Sequence, residues 1–305
     1  MTRHFCTLFD KGFLTRGMAL HESLVKWSPD FVLWMMCNDS ESYEMLTKLA
    51  LPNVKLLKMS DVEADDPRVL AVKPSRKMNE YCWMFSSVLP LYILEHNPEL
   101  DMITYLDADL YYYASPDPIY QEFGANSILI IPHGFSEKNK DKAKTSGIYN
   151  VGMMIFRNDQ NGLECLRWWK DRVIEWCFET YENGKLGDQM YLNDWPTRFK
   201  SVHVLKNIGA NVASWNIDRY KSLHPPLIFF HFHGLLIYAG WYGKACFYPA
   251  TIFDRQAYRV YLQAIRRAYA KVQTIDPSWK YGFVKPLDIF RLLKQYIGLC
   301  RREFS

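Results

Sequence analysis

The sequence predicts an α/β fold built on a largely parallel sheet. Short apolar runs, typical of buried strands, alternate with segments whose apolar residues recur every three or four positions, as in helices. The runs at 3–9 and 31–37 flank the first helical segment, at 15–27. Because a helix is the usual connection between parallel neighbours, this order predicts a sheet flanked by helices.

Each further strand is predicted from a short apolar run that polar or turn residues bound on both sides. These runs are at 54–58, 102–106, 127–132, 149–156, 202–205 and 227–232. We expect the run at 102–106 to be a central strand, and it leads directly into Asp107-Ala108-Asp109.

The remaining helices are predicted at 41–50, at about 80–95 with a bend near Pro90, at 162–180, and from near Asp188. The helix at 162–180 has the clearest pattern, because Leu163, Leu166 and Trp169 begin an apolar face. From residue 254 onward the pattern is helical and basic.

Two stretches are predicted as loops. Residues 61–80 are charged, and Pro67 and Pro74 interrupt them. The segment 137–144, EKNKDKAK, is polar and predicts a mobile connection.

Composition excludes several classes of protein. Apolar residues make up 49% and charged residues 23%, which excludes a disordered, collagen-like or coiled-coil chain. The net charge of +4 is too small for a protein that mainly binds nucleic acid. The length of 305 residues suggests roughly two domains. We expect a main domain at 1–250 and a helical C-terminal extension at 251–305.

The seven cysteines indicate a reducing compartment. Their number is odd and no C-x-x-C pair occurs, which argues against a disulfide framework and a zinc knuckle. The N-terminal residues enter a strand-like run directly, so we expect no signal peptide. The longest apolar stretch, 227–243, has 17 residues with two His and three Gly, and is too short for a transmembrane helix. We therefore expect a cytoplasmic protein.

Two carboxylates lie directly after the apolar run at 102–106. Asp107 and Asp109 alternate in an extended segment, so both can point the same way and reach one cation. The carboxyl edge of an open α/β sheet is also where ligands usually bind. Hard oxygen ligands suit Mg²⁺ or Mn²⁺ together with phosphate oxygens. Two solvated turn aspartates are the alternative.

A second candidate metal-binding segment is His-Phe-His-Gly at 231–234, which ends the apolar run LIFF. A histidine that leaves a buried strand could complete an Asp/Asp/His shell, and its imidazole favours Mn²⁺ over Mg²⁺. His231 and His233 share a face of the strand, so alternation does not separate them. A neutral core histidine is the alternative for either one. Gly234 would let the backbone approach a phosphate closely.

Two further segments combine glycine with a polar residue. Asn150 and Gly152 interrupt the apolar run at 149–156, where a glycine marks either the close approach of a ligand or a bulge. Gly187 and Asp188 begin the segment GDQMYLND. Asp188 is there either a helix N-cap or a group that holds sugar hydroxyls.

Taken in chain order, these segments resemble the nucleotide-sugar glycosyltransferases of the GT-A fold, above all glycosyltransferase family 8 and its bacterial surface-polysaccharide relatives. The matching motifs are LDADL at the strand end, N-x-G-x-x-x-F from Asn150, G-D-Q-x-x-L-N from Gly187 and H-x-x-G from His231. The N-terminal FDKGFLTRGMALHESL is similar to the family's opening strand and helix. The resemblance covers roughly residues 3–245 and implies a GT-A (Rossmann-like) sheet.

The resemblance implies a role for each matching residue. The metal ligands would be Asp107, Asp109 and His231, with Mn²⁺ (or Mg²⁺) as the ion. His233 would then be a neighbour and not a ligand. Asp188 and Gln189 would lie at the reacting centre. The donor would be bordered by Thr7, Leu8, Phe9, Asp10, Tyr105, Asp107, Ala108, Asn150, Gly152, Gly234 and Lys244.

The sequence departs from the family pattern where the diphosphate would bind. The family often has a lysine three residues after the glycine of H-x-x-G, and this chain has Ile237 there. Lys244 is the substitute that we consider. The basic residue that the family carries on the helix before the aspartates is not evident in WMFSSVLPLY.

The implied function is metal-dependent sugar transfer. A hexose or N-acetylhexosamine would move from a nucleotide diphosphate sugar, UDP-linked, to a glycan or lipid-linked acceptor in lipopolysaccharide or capsule synthesis. Family 8 implies retention of the anomeric configuration; if the enzyme inverts, Asp188 is the candidate general base.

Two other functions are considered. A sugar-1-phosphate nucleotidyltransferase would need a Gly-rich, Arg-containing loop after the first strand, and FDKGFLTRG lacks that pattern. A non-catalytic glycan-binding protein would need no metal ligands.

The C-terminal residues 285–305 predict contact with an anionic membrane surface. A helix from Leu287 would place apolar residues between 289 and 297 along one stripe. Arg291 and Lys294 lie beside that stripe, as in helices that bind anionic lipid. The alternative is a C-terminal helix that packs on the catalytic domain.

Overall fold

The computed structural model describes residues 2–223, 225–238, 242–245 and 252–284. Its strands are, in chain order, β1 (Arg3–Phe9), β2 (Phe31–Cys37), β3 (Val54–Lys58), β4 (Met102–Leu106), β5 (Leu110–Tyr112), β6 (Ile128–Pro132), β7 (Tyr149–Arg157), β8 (Val202–Val204), β9 (Val212–Ala213), β10 (Phe229–His231), β11 (Leu235–Tyr238) and β12 (Tyr242–Ala245). Its α-helices are α1 (Leu14–Trp27), α2 (Ser40–Leu49), α3 (Met59–Asp65), α4 (Pro67–Val72), α5 (Met78–His96), α6 (Asp117–Phe123), α7 (Ala143–Ser146), α8 (Gln160–Glu175), α9 (Trp195–Arg198), α10 (Ile217–Leu223) and α11 (Ile252–Ile275). Shorter 3₁₀ helices span Lys73–Ser75, Glu137–Lys142 and Gln189–Asp194.

A seven-stranded sheet runs through the centre of the fold in the order β3-β2-β1-β4-β7-β6-β8. β3, β2, β1 and β4 are parallel to one another, and β8 is parallel to β6. β7 is antiparallel to both of its neighbours, β4 and β6. This confirms the predicted α/β fold with a mostly parallel sheet. It also brings the start of β7 to the edge where β1 and β4 end.

The two faces of the sheet are covered by separate hydrophobic cores. Strand side chains alternate between them, so Phe5 lies in one core and Cys6 in the other. α5 and α8 cover the face of Cys6, where Trp169 and Trp195 pack edge to face with ring centroids 5.2 Å apart. α1, α2 and part of α11 cover the opposite face. Because both faces are buried, the strands have continuous apolar sequences.

The interpretation of residues 61–80 as a loop is wrong, because α3, α4 and the start of α5 occupy them. The Asp66 side chain accepts a hydrogen bond from the Arg68 N–H (3.1 Å) and so caps α4. Pro67 occupies the first turn of α4, where its missing N–H costs nothing. Pro74 likewise lies in the first turn of a 3₁₀ helix. The prolines therefore begin helical segments here instead of interrupting them.

Two other predicted boundaries differ from the structure. α8 ends at Glu175, because Trp176 adopts an extended conformation (φ −152°, ψ 121°) that no helix can continue. The segment 137–144, predicted as a mobile connection, forms a 3₁₀ helix followed by the start of α7. Lysines there pair with carboxylates one turn away, as Lys144 does with Asp141 (2.8 Å).

A second sheet has three strands in the order β5-β10-β9, and only β10 is predicted from the sequence. β5 begins directly after Asp109, and its Leu110 pairs with His231 of β10. β9 has two residues, too few for an apolar pattern to reveal. This small sheet carries His231 to the carboxyl edge of the large one. The hairpin β11–β12 follows it.

The helix α11 packs on the small sheet and on α1. The ring of Tyr261 stacks on Phe232, with centroids 3.9 Å apart and planes 11° from parallel. Arg267 forms two hydrogen bonds with the Glu22 carboxylate of α1, at 2.7 and 3.0 Å. The helix is thus held to the rest of the fold by aromatic packing at Tyr261 and by an ion pair at Arg267.

The described part of the C-terminal region therefore packs on the same core as the rest of the chain. The domain division at residue 250 stays a prediction. The segment 285–305, with its predicted membrane helix, lies outside the described residues. Within the residues that are described, none of the helices is both long and apolar enough to cross a bilayer.

Tyr261 tests how α11 contributes to the free energy of unfolding. Its side chain is fully buried, and its hydroxyl has no hydrogen-bond partner in the described part of the chain. We expect Tyr261→Phe to preserve or raise the free energy of unfolding, because it removes a buried polar group that makes no hydrogen bond. Tyr261→Ala should lower it by about 3–5 kcal/mol, as for other buried aromatic side chains. Urea unfolding followed by circular dichroism measures both, and equal losses in the two variants would contradict the packing role.

Candidate functional site

Three side chains from the two sheets meet at the carboxyl edge of the large sheet. Asp107 and Asp109 follow β4, and His231 is the last residue of β10. The His231 Nε2 atom lies 3.3 Å from Asp109 Oδ1 and 3.6 Å from Asp107 Oδ2. The side chain of His231 is 2% exposed and that of Asp107 is 32% exposed. The cluster is therefore buried on the histidine side and open to solvent on the side of Asp107.

The orientation of the His231 ring is set by Asn211. The Asn211 Nδ2 group donates to the Pro132 carbonyl (3.3 Å), which turns its Oδ1 toward His231 Nδ1, 3.4 Å away. When the Nδ1–H group of His231 donates to the Asn211 amide oxygen, the Nε2 atom faces the two carboxylates. Asn211 has a φ of 55°, a conformation that asparagine tolerates better than most residues do.

Only glycine fits at position 152, next to this ring. A Cβ atom there would lie 2.7 Å from His231 Nδ1 and 2.6 Å from Asn150 Oδ1. The same Asn150 oxygen accepts a hydrogen bond from the Gly152 N–H (2.9 Å). Gly152 also lies where the pairing of β7 with β6 is irregular, so close approach and a bulge coincide. The group that approaches the glycine is the imidazole of His231.

Hydrogen bonds hold both aspartates from neighbouring segments. The Tyr105 hydroxyl donates to Asp107 Oδ1 (3.0 Å), and the Asp107 N–H donates to the Gly152 carbonyl (2.9 Å). The Phe232 N–H donates to the Asp109 carbonyl (3.0 Å). The backbone positions of the two carboxylates are thus tied to β7 on one side and to the end of β10 on the other.

The charges in the cluster shift one another's protonation. Burial raises the pKa of Asp107 to about 6, against the opposing charge of His231. Burial also acts to raise the pKa of Asp109, but the charge and hydrogen bond of His231 outweigh it and the pKa is lowered. Burial acts to lower the pKa of His231, and the two carboxylates raise it instead. The cluster therefore attracts a cation, either a proton on His231 or a metal ion.

His233 also reaches this cluster. The ligand atoms of Asp109, His231 and His233 all lie within 4.8 Å of one another, whereas Asp107 is outside that group. The Trp215 ring contacts both imidazoles edge-on, with centroid distances of 5.3 Å to His231 and 5.9 Å to His233. His233, expected only as a neighbour, thus lies near enough to two of the cluster's side chains to share a cation with them.

Asp188 is buried near the cluster, and its side chain does not cap the 3₁₀ helix that follows. Asp188 occupies the predicted N-cap position of Gln189–Asp194, but its Oδ2 accepts a hydrogen bond from the Ser86 hydroxyl of α5 (2.7 Å) instead of capping the helix. Burial raises the pKa of Asp188 to about 7; the charge of Asp107 adds to the rise, and the Ser86 hydrogen bond opposes it. The neighbouring Gln189 donates its Nε2–H to the Ser146 carbonyl (2.7 Å).

The segment expected to line the nucleotide is only partly exposed. Thr7 and Phe9 are buried, Leu8 is half-buried and Asp10 is exposed. Phe9 packs so closely on Gly17 of α1 that a Cβ there would lie 2.2 Å from its ring. Asp10 and Leu8 are therefore the members of this segment that a ligand can reach.

The other donor-binding candidates lie at the same edge. Tyr105, Ala108 and Asn150 are buried beside the aspartates and Gly152. Gly234 has a φ of 70° in the turn that follows His231, a conformation that favours glycine. This edge gathers the residues that were expected to contact the donor sugar and phosphates.

The region expected to bind diphosphate contains a buried arginine. Ile237, at the position of the family's lysine, is 1% exposed and belongs to the core. Lys244 lies in β12, and its side chain is outside the described residues. Arg16 is buried and donates to the carbonyls of Gly12 (3.2 Å) and Leu235 (2.9 Å). It links the loop after β1 to the turn after β10 and adds positive charge near the aspartates.

Sequence reasoning missed the residues that support the histidine ring. Asn211, which orients His231, begins the segment NVASWN at 211–216. Trp215 from the same segment donates its Nε1–H to the His133 carbonyl (2.8 Å) and contacts the imidazoles. The two asparagines of NVASWN are turn residues and mark a break between strands, which was the available signal.

The donor atoms of the cluster fit a divalent cation. Two carboxylates supply hard oxygen ligands, and His231 supplies a nitrogen whose ring is already fixed through its other nitrogen. This arrangement is typical of the ligand shells of Mn²⁺ and related ions.

Comparison with other proteins shows relatives over nearly the whole chain. No family model matches. The uncharacterized protein YfnF of Bacillus subtilis (strain 168) is 30% identical over 304 residues, which are 94% of this chain and 99% of YfnF. The uncharacterized protein YfnD of the same strain is 28% identical over 299 residues, which are 93% of this chain and 95% of YfnD.

Solved glycosyltransferases share the fold at low sequence identity. An active-site mutant of LgtC matches with a TM-score of 0.58 and 14% identity, over 87% of this chain and 95% of LgtC. The galactosyltransferase LgtC in complex with donor and acceptor sugar analogs matches with a TM-score of 0.53 and 14% identity, over 93% of this chain and 98% of LgtC. The glycosyltransferase GlyE of Streptococcus pneumoniae TIGR4 matches with a TM-score of 0.52 and 14% identity, over 92% of this chain and 65% of GlyE.

These likenesses confirm the GT-A fold that the sequence motifs implied. The mostly parallel sheet and the helices on both of its faces agree with it. The chain has the fold of GT-A glycosyltransferases, and it belongs to the same protein family as YfnF of Bacillus subtilis.

Proposed function

We propose that this protein is a metal-dependent glycosyltransferase. It moves a hexose or N-acetylhexosamine from a nucleotide diphosphate sugar, UDP-linked, to a glycan or lipid-linked acceptor. The observation that carries the proposal is the convergence of Asp107, Asp109 and His231 on a GT-A sheet, with both carboxylates within 3.6 Å of one buried imidazole nitrogen. LgtC, which was solved with donor and acceptor sugar analogs, supports a reaction between two sugar substrates.

The proposed metal ligands are the three residues of this cluster. Asp107, Asp109 and His231 would hold Mn²⁺ or Mg²⁺. When bound, the cation stabilises the negative charge that develops on the departing diphosphate. Asn211 already fixes the His231 ring, and Tyr105 holds one oxygen of Asp107. Two of the three proposed ligands are therefore already oriented by neighbouring side chains.

The donor would lie across the carboxyl ends of β1 and β4 and the start of β7. Asp10 and Leu8 are accessible for the nucleotide, and Asn150 and Gly152 border the sugar. Lys244 remains our candidate for a contact with the diphosphate. This assignment is supported by the order of these segments along one sheet edge.

Asp188 and Gln189 are proposed to act on the opposite side of the anomeric carbon. Similarity to family 8 supports a reaction with retention, in which these side chains orient the sugar. A pKa of about 7 also suits Asp188 to act as general base in an inverting reaction. The anomeric configuration of the product, read from its proton NMR spectrum, separates these two mechanisms.

The proposal includes a place of action. The enzyme would work in the cytoplasm, on the inner face of the membrane, in the synthesis of lipopolysaccharide or capsule. The basic and apolar residues of 285–305 support contact with anionic lipid, where a lipid-linked acceptor would be available.

A panel of nucleotide sugars tests the function. We expect Mn²⁺-dependent release of nucleoside diphosphate from one member of the panel, and its loss on chelation. Asp107→Asn and Asp109→Asn should each lower the rate by about 100-fold or more, the usual cost of removing one group that stabilises the transition state. Asp171→Asn is the matched control, because that exposed carboxylate of α8 pairs only with Arg68 in the described structure (3.0 Å). Wild-type rates for either active-site variant at limiting Mn²⁺ would reject the metal assignment.

Gly152→Ala tests the contact between β7 and the His231 ring. The new Cβ would overlap His231 Nδ1 and Asn150 Oδ1, so we expect both side chains to shift. Mn²⁺ affinity should fall by about tenfold or more, as when an outer-shell partner is removed. Gly184→Ala is the control: a Cβ there meets nothing within 4 Å, and its φ of 78° makes alanine strained only in the turn between Glu182 and Lys185, so it measures the cost of backbone strain without contact with His231. Titration by electron paramagnetic resonance measures both, and unchanged affinity in the first variant would show that the contact does not position the ligand.

Asp188→Asn tests the raised pKa of Asp188 in the metal-free protein. The pKa is about 7 in the folded state and about 3.9 when unfolded. Between these values the folded state binds a proton that the unfolded state has released, so stability falls as pH rises from about 4 to about 7. Asparagine binds no such proton, so the Asp188→Asn variant does not have this fall in stability. The difference in melting temperature, variant minus wild type, should therefore grow across that window and stay level above it; a difference independent of pH would contradict the raised pKa.

A further inference from the structure

We propose that His233 is a fourth protein ligand of the metal site. The shell would then contain two carboxylates and two imidazoles, and it would select transition-metal ions over Mg²⁺. This inference rests on the proposed function, since it concerns the same cation. It departs from the family pattern, in which H-x-x-G supplies one histidine.

The turn after β10 places the two imidazoles together. The Leu235 N–H donates to the Phe232 carbonyl (3.0 Å), which closes a four-residue turn from Phe232 to Leu235. Gly234 is the third residue, with a φ of 70°, while His233 before it does not have a positive φ. This is the pattern of a type II turn, and it holds His233 directly beyond the strand end that presents His231.

The residue between the two histidines is fixed on both sides. The Phe232 side chain is fully buried and stacks on Tyr261 of α11, with ring centroids 3.9 Å apart. Its N–H donates to the carbonyl of Asp109 (3.0 Å). The backbone that carries His233 is therefore tied to the backbone of a proposed ligand. The His233 side chain itself is exposed, and its ring contacts the rings of Trp215 and His231 edge-on, with centroids 5.9 and 5.8 Å away.

The distances are compatible with a shared ion. Two atoms that each bind one ion at about 2.1 Å lie about 3 Å apart when adjacent and at most about 4.2 Å apart. Asp109 Oδ1 and His231 Nε2 are 3.3 Å apart, which matches adjacent positions. The ligand atoms of Asp109, His231 and His233 are within 4.8 Å of one another, so His233 must move by up to about 0.6 Å to lie opposite one of them, or by up to about 1.8 Å to lie adjacent to both. Rotation of an exposed side chain supplies such a movement.

A second imidazole changes which cation the site prefers. Mg²⁺ favours oxygen ligands and keeps several waters, whereas imidazole nitrogen strengthens binding of Co²⁺ and other later transition metals. Removal of His233 should therefore weaken Co²⁺ binding much more than Mg²⁺ binding. Loss of a carboxylate would weaken both, because the oxygen ligands serve every divalent cation.

The test uses Co²⁺ and Mg²⁺ as probes of the full chain after chelation and dialysis. Calorimetry gives the two affinities, and the visible absorption of bound Co²⁺ reports nitrogen ligands. His233→Ala should weaken Co²⁺ binding by about tenfold or more and shift its absorption band, with Mg²⁺ affinity changed less than about threefold. His233→Gln, which keeps a polar side chain, should behave the same way. His96→Ala is the control, an exposed histidine at the end of α5.

The outcomes separate this inference from the proposed function. Co²⁺ affinity within about twofold of wild type in both His233 variants would overturn the inference, as would equal losses of Co²⁺ and Mg²⁺ affinity. In either case the Mn²⁺-dependent transfer by wild type would leave the proposed function intact. A wild-type chain that binds neither cation, with or without UDP, would overturn both.

Discussion

The imidazole of His231 packs directly against the backbone of β7, and much of the site follows from that contact. A Cβ at position 152 would come within 2.7 Å of the ring, so glycine is the residue that fits there. His231 is the last residue of β10 in the small sheet, and β7 lies next to β4 in the large sheet, so this contact joins the two sheets. Two partly buried carboxylates, Asp107 and Asp109, would repel each other without a cation, and the imidazole supplies a fixed partner for both. The candidate site thus lies where the two sheets meet, next to a glycine position at which an added Cβ would clash.

Most of the large sheet could be predicted from the sequence, because its strands are covered on both faces and form continuous apolar runs. The helices at 59–75 could not be predicted, because proline usually indicates a break in a helix. Here the prolines lie in first turns, and this is evident only once Asp66 is known to cap the helix that begins at Pro67. The early end of α8 depends on the extended backbone of Trp176. β5 and β9 are too short to have a pattern of their own; they exist because β10 lies between them.

The candidate site was predictable to the extent that its residues follow apolar runs. Asp107 and Asp109 follow β4 directly, and His231 ends a strand, so the topology explains why they meet. The supporting residues depend on contacts between distant parts of the chain. Arg16 reaches the carbonyl of Leu235, 219 positions away, and no local pattern indicates such a partner. The position of His233 depends likewise on the turn from Phe232 to Leu235, whose first residue stacks on Tyr261 of α11.

That stacking has a consequence for how the protein acquires its active form during synthesis. The first strands and their helices make contacts between near neighbours in the chain and can form while translation continues. The acidic strand end is then already present, but its histidine is not, and the ring that braces the histidine turn belongs to a helix that ends at Ile275. A chain released early would therefore carry the carboxylates without the partner that organises them. A cation at the proposed site would therefore bind only the finished polypeptide, and it would stabilise the completed fold without guiding its formation.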